Sequence, residues 1–336
     1  MEKKYTYPFL ILIALLIICF FVNISLGSVS ITTKEIFNSL IGKADNYIIQ
    51  NYRLPKAFTA ILVGSGLGIS GLLMQTLFRN PLAGPFVLGI SSGASLGVAL
   101  VILGSGFFGG IFTTLLISKW SVVIAASLGS FLVLLAVMIV SSRVRDTMAI
   151  LIIGLMFGSI TAAVVSVLSY FSSAEQLQQY IFWGFGSLGN LSWNELLIFF
   201  LIYLTGVLMT IVSIKGLNTL LLGENYAKSM GLNLKQSRLI IIIATSLLAG
   251  TITAFAGPIA FIGLAIPHMT RQIFHTSNHK ILLPAVFLFG AIVMLICDSI
   301  AQLPTSDYTL PINAITSLVG APVVIWLLVR KRKMLF

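Results

Sequence analysis

Charge is scarce in this chain. Of its 336 residues 9% are Asp, Glu, Lys or Arg, against 58% hydrophobic, and mean hydropathy is +1.06. A soluble domain carries about a quarter charged residues, and a chain this apolar could not cover a water-facing surface without aggregating patches. Soluble enzymes, nucleic-acid binders and disordered tails are therefore excluded. Cysteine is nearly absent: Cys19 and Cys297 lie in separate apolar stretches and form no disulfide or metal-ligand spacing. His268, His275 and His279 have no Cys, Asp or Glu beside them, so no metal centre is expected. The chain has no H-E-x-x-H and no G-x-x-x-x-G-K-[ST], so if ATP drives it, another chain must hydrolyse the ATP.

What is present is a succession of apolar runs, at about 8–27, 54–77, 85–105, 119–141, 148–171, 195–214, 239–260, 262–276, 281–303 and 311–329. Each is near the length that crosses a bilayer. The sequence therefore predicts an all-α integral membrane protein of about ten transmembrane helices, a single polytopic domain over 1–336. The first run follows Lys3 and Lys4 but is too long for a signal peptide and has no A-x-A site, so it reads as the first span. The third and eighth runs are interrupted, by Pro85 and Gly89 and by Gly263, Pro267 and His268. Broken spans of this kind line cavities.

Acidic residues number 9 against 20 Lys and Arg, a net charge of +11. Its placement decides its meaning. With an internal amino terminus, external loops hold Lys34, Lys43, Arg53, Lys56 and Lys119, and all the other basic residues fall inside, among them Arg143, Arg145 and Arg330 to Lys333. That bias predicts cytoplasmic termini and contact with anionic lipid, not nucleic acid.

Ala83-Gly84-Pro85 follows the second span and Ala256-Gly257-Pro258 recurs late in the seventh. On this topology the two segments run in opposite directions, which is inverted-repeat character. In the fifth span Gly154, Gly158, Ala162 and Ser166 recur every fourth residue, a small-residue stripe suited to a subunit seam or a pore lining. Asp298 is an intramembrane carboxylate near the outer end of its span, read as water-accessible and structural, with ion relay as the alternative. Gly89-Ile90-Ser91-Ser92-Gly93 fits G-x-S-x-G, and with His268 it raises an intramembrane serine hydrolase, although that motif needs a strand-turn-helix setting. In the long inner loop, 215–238, a short helix starting at Glu224 and stopped by Gly231 would set Tyr226 and Met230 on one face, ready to dock in a partner's groove.

Several ordered blocks resemble one family. They are Arg53-Leu54-Pro55-Lys56, Ser70-Gly71 with Gln75, Arg79-Asn80-Pro81-Leu82-Ala83, Leu88 to Ala94, Leu222-Gly223-Glu224 with Ala227 and Gly231, Gly257 to Leu264 with Pro267-His268 and Arg271, and Leu310-Pro311 with Gly320-Ala321-Pro322. Together they make the chain similar, over nearly its whole length, to the membrane permeases of bacterial ABC importers for ferric siderophores, haem and cobalamin. The resemblance implies a type II importer permease in the plasma (inner) membrane, a homodimer with two cytoplasmic ABC ATPase subunits and an external binding protein. It implies no enzyme activity and no cofactor on this chain, with ATP-Mg held by the ATPase. Gly223, Glu224, Ala227, Lys228 and Gly231 would couple to the ATPase, and Arg53 and Lys56 would meet acidic residues of the binding protein from a solvated surface. Gly154, Gly158, Ala162 and Ser166 would line the translocation path. Two departures stand out: Lys56 where the family often has Arg, losing a bidentate fork, and Gln302 where it commonly has Arg. Ferric siderophore is the expected cargo, haem next and cobalamin third, with an ion-coupled secondary transporter using Asp298 as a rival reading.

Overall fold

The computed structural model describes residues 3–43, 45–107, 118–141, 147–303 and 308–329. Arg143, Arg145 and Arg330 to Lys333 lie outside the described residues. Among the described residues the regular structure is helical throughout, with no strand. The helices are α1 (Lys3–Ser25), α2 (Thr33–Leu40), a π-helical turn Ile49–Arg53 running into α3 (Leu54–Leu77), a 3-10 turn Pro85–Leu88 before α4 (Ile90–Ile102), α5 (Lys119–Ser141), α6 (Thr147–Phe171), α7 (Ala174–Phe185), α8 (Trp193–Val212), α9 (Ile214–Leu220), α10 (Glu224–Ser229), α11 (Leu234–Ala256), α12 (Ile262–Phe274), α13 (His279–Ala301) and α14 (Ile312–Val329). Seven are long and apolar enough to cross a membrane, within α1, the Ile49–Leu77 segment, α5, α6, α8, α11 and α13. The shorter α4, α12 and α14 complete the ten expected segments.

α4 and α12 have 13 residues each, about 20 Å at 1.5 Å per residue, short of the roughly 30 Å hydrocarbon layer. Both are entered from an Ala-Gly-Pro segment through a residue of positive φ. Gly89, at φ 76°, precedes α4 and Phe261, at φ 64°, precedes α12. Glycine adopts that conformation freely at position 89; Phe261 is held in it by its surroundings, where its side chain sits beside Gly320. The freed backbone is re-paired: the Ala260 N–H donates to Asn313 Oδ1 at 3.0 Å and the Ser187 N–H donates to the Ala256 carbonyl at 2.9 Å. Pro267 removes one helical N–H but does not end α12.

Lys56, at the start of α3, lies beside Gly189, while Gly257, at the end of α11, abuts Trp183 and Gly186. At the opposite face Arg79, just past α3, reaches the Leu221 carbonyl close before α11 begins. α3 and α11 therefore run antiparallel, and each is followed by a break and then a 13-residue helix, which gives the inverted repeat a geometric basis.

Backbone-to-backbone contact at small residues holds the centre together. A Cβ on Gly64 would overlap the Gly290 carbonyl, one on Gly71 the Gly263 carbonyl, and one on Gly93 the Gly129 carbonyl. These contacts seat α3 against α13 and α12, and α4 against α5, at distances no larger residue permits. The main hydrophobic core is built around α3, where Leu67, Leu72, Leu73 and Met74 are fully enclosed.

Candidate functional site

On the face that carries α10, the chain leaves α9 through a tight turn in which the Gly223 N–H donates to the Leu220 carbonyl at 3.1 Å. Gly223 has φ 103°, a conformation an L side chain resists, and the Arg79 guanidinium would lie 3.5 Å from any Cβ there. α10 follows, the short helix expected from Glu224. Ala227 is fully buried against the main core, whereas Leu222, Tyr226 and Met230, four residues apart, are about three-fifths exposed. Glu224 pairs with Arg238 of α11, Lys228 is exposed in the last turn, and Gly231 bends the chain back so that the Leu232 N–H donates to the Ala227 carbonyl at 3.0 Å. One side of this small helix is thus fixed to the body, and the other presents an apolar stripe beside an open groove lined by Arg79, Leu222 and Tyr226.

The opposite face departs from expectation. Arg53 is 8% exposed, and its guanidinium donates to the carbonyls of Ile24 at 2.8 Å, Ser25 at 3.1 Å and Val29. It closes the orphan carbonyls at the end of α1 and is not a solvated surface charge. Asp298, read as water-accessible, is 2% exposed. Its carboxylate receives Lys56 Nζ at 3.2 Å, Asn23 Nδ2 at 2.9 Å and Gln302 Nε2 at 2.8 Å. Desolvating a carboxylate is costly unless a counter-charge and hydrogen bonds replace water, and all three are supplied here from α1, α3 and the end of α13. Gln302, noted in the sequence as a departure, thus serves an internal contact. Lys56, with a side chain 22% exposed, is the accessible member of the set. Beside it Lys119 joins Glu195 at 2.7 Å, and Glu195 also accepts the Ser192 N–H and hydroxyl.

The small-residue stripe of α6 does not keep one environment. Gly154 is buried with its carbonyl toward Gly89, and a Cβ on Gly158 would lie 3.1 Å from Ser92 Oγ, but Ala162 and Ser166 are exposed. The cause is helical pitch: at about 100° per residue each four-residue step turns the position by roughly 40°, so the row winds off the buried face. Ile152, Leu155, Met156, Ile160 and Val167 are also more than half exposed. Ser91 and Ser92 stand in the first turn of α4, entered from a 3-10 turn, without the strand that a nucleophile elbow requires.

Sequence reasoning missed the polar cluster at the α10 face. His279, 1% exposed, sets Nε2 2.8 Å from Thr76 Oγ1 and Nδ1 2.8 Å from Asn218 Oδ1, and its backbone N–H also donates to Asn218 Oδ1, at 2.9 Å. Arg271 donates to Gln75 Oε1 at 2.7 Å, and Gln75 Nε2 donates to the Leu264 carbonyl at 3.1 Å. The signal available was a set of polar side chains at the ends of otherwise apolar runs.

Residues 15–330 match the FecCD transport family. The hemin transport system permease protein HmuU of Yersinia pestis is 34% identical over 323 residues, covering 96% of this chain and 95% of that protein. The vitamin B12 import system permease protein BtuC of Klebsiella pneumoniae is 39% identical over 286 residues, covering 84% and 83%. A solved inward-facing metal-chelate type ABC transporter superposes with a TM-score of 0.82 at 32% identity, over 97% of this chain and all of that one. With helices throughout its described residues, seven of them long and apolar enough to cross a membrane, and a family match along nearly its whole length, this chain belongs to the FecCD transport family of membrane permeases.

Proposed function

We propose that the chain is the transmembrane subunit of an ATP-driven importer that carries an iron chelate, a ferric siderophore in the first instance, across the plasma membrane into the cytoplasm. The observation that carries this reading is α10: a short helix anchored by buried Ala227 while Leu222, Tyr226 and Met230 stand exposed. That is the form of a projection that docks in a partner's groove. The α10 face is then cytoplasmic, with both termini on that side, and Gly223, Glu224, Ala227, Lys228 and Gly231 form the element that follows the ATPase. The Lys56 face is external and receives the binding protein, with Lys56 as the docking charge and Arg53 as the brace that fixes the adjoining end of α1. Solvated charge pairing at such a rim steers encounter more than it adds affinity.

Two copies assemble along the apolar, exposed side of α6, where Ala162 and Ser166 face the shared axis and Gly154 and Gly158 hold the helix to α4. ATP closes two partner ATPases, α10 moves with them, and the paired α6 helices alternate access. The cargo undergoes no reaction and this chain holds no cofactor; ATP-Mg stays on the ATPase. Haem and cobalamin are the alternative cargoes, in keeping with what HmuU and BtuC are named for. An ion-coupled carrier is disfavoured because Asp298 is enclosed and its carboxylate is shared by Lys56, Asn23 and Gln302.

The test is affinity purification of the tagged chain in mild detergent with identification of its companions. A Walker-motif ATPase should co-purify and be lost in Ala227→Arg, because a cation at this buried anchor cannot be accommodated. A chain that purifies alone and inert to ATP would overturn the reading.

A further inference from the structure

α3 and α13 form one antiparallel pair bonded at both ends. At one end Lys56 of α3 meets Asp298 of α13 at 3.2 Å. In the middle Gly64 and Gly290 bring the two backbones into contact, and Gly68 packs on Val286. At the other end Thr76 of α3 meets the His279 imidazole of α13 at 2.8 Å. Helices joined by a carbonyl-tight glycine seam have no slack for sliding, since any axial shift drives a Cα or side chain into the opposing backbone. α3 alone has 24 residues, about 36 Å of helix, so the pair is a stiff strut from one face of the membrane to the other.

Beside the Arg79 bond to the Leu221 carbonyl, the strut is tied to the α10 region through Asn218. Asn218 of α9 accepts two hydrogen bonds from His279, at its N–H and its ring, and donates Nδ2 to Asn278 Oδ1 at 3.0 Å. Asn278 is the N-cap of α13. Leu217 and Leu220 hold α9 in the core, and only the turn at Leu221 to Gly223 separates α9 from α10. A displacement of α10 therefore reaches the first turn of α13 through Asn218, passes to α3 through His279 and Thr76, and is carried without slack to Lys56 and Asp298.

We infer that Asn218, His279 and Thr76 are positioning residues that link the ATPase-facing helix to the binding-protein face through the α3–α13 strut. This inference rests on the importer reading above, which supplies the two partners. The strut predicts that occupancy of one face is felt at the other as a change in ATP hydrolysis, because coupling between two sites needs an element that both can move.

The experiment compares wild type, Asn218→Ala and Asn218→Asp as complete complexes with the ATPase in lipid nanodiscs, measuring ATP hydrolysis with and without saturating binding protein. Asn218→Ala should assemble and keep basal hydrolysis, while stimulation by the binding protein falls by about fivefold or more. Asn218→Asp keeps the acceptor oxygen that His279 uses but loses the donor to Asn278 Oδ1, so stimulation should return only in part. A merely structural role would lower assembly and basal activity alike and would leave the ratio unchanged. Wild-type stimulation in Asn218→Ala overturns the relay. If Asn218→Ala does not assemble, Thr76→Val, of equal size, severs the chain at its other link, and retention of full stimulation there has the same force. A wild-type complex whose hydrolysis ignores the binding protein overturns the importer reading itself, whereas responsive wild type beside responsive variants overturns only the relay.

Discussion

Two long apolar helices of this chain live in opposite surroundings. In the most apolar stretch of the segment that contains α3, 89% of residues are buried within the chain, and in that of α6 only 11%. Hydropathy does not separate them, at 1.8 and 2.1. Burial follows from the spacing of small residues relative to the helix face. In α3 Gly64, Gly68 and Gly71 all meet α13 or α12, while Gly66 meets Ile252 of α11 and Tyr203 of α8, so neighbours surround it. In α6 the small row winds off the packed face and leaves Ala162 and Ser166 uncovered. One helix is built to be fixed and the other to be covered by something outside the chain.

The comparison can be broken from either side. The largest effect is expected from Gly64→Leu, which forces a branched side chain into the Gly290 backbone; overpacking of this kind costs about 3 kcal/mol or more, and the chain should fail to accumulate as a monodisperse species in detergent. Next is Asp298→Ala, which leaves Lys56 and Asn23 facing a vacancy. Removing one partner of a buried pair costs about 3 kcal/mol, and the thermal midpoint should drop well below that of wild type, whereas Asp298→Asn, which keeps an acceptor, should lose less. Third, Ala162→Leu on α6 should leave the thermal midpoint near that of wild type and still abolish uptake, because Ala162 is exposed; unimpaired uptake would remove α6 from the path. The smallest effect is expected from Glu224→Gln, which ends a partly solvated pair with Arg238 worth about 1 kcal/mol or less; the midpoint should barely move.

Much of the fold was legible because it depends on local sequence. The ten apolar runs coincide with ten helices, the break at Pro85 to Gly89 follows from Pro and Gly, and α10 runs from Glu224 and stops ahead of Gly231, whereas the eighth run, read as interrupted at Gly263, Pro267 and His268, is one continuous helix whose break lies ahead of Ile262. Boundaries moved where polar residues can sit inside a helix: α11 starts at Leu234 and α13 at His279, each ahead of its apolar run. The short helices α2 and α7 carried readable capping boxes at Thr32 with Glu35 and Ser173 with Gln176, but at 8 and 12 residues they are too short to register beside the spans. The internal partnerships were not legible. Arg53 and Asp298 have the same appearance in sequence whether they face water or carbonyls and ammonium, and their partners lie 24 to 29 residues away for Arg53 and 275 for the Asn23–Asp298 bond. Separations of 61 and 203 residues likewise concealed the contacts among Asn218, His279 and Thr76.

The most direct test of the account is uptake of radiolabelled ferric siderophore into proteoliposomes that contain this chain, its ATPase and its binding protein, with ATP enclosed or supplied on the α10 side and no ion gradient. The account predicts uptake that requires ATP and stops in Ala227→Arg with the lipid-embedded chain still folded. Uptake that proceeds without ATP, follows an imposed proton gradient and survives Ala227→Arg would contradict it.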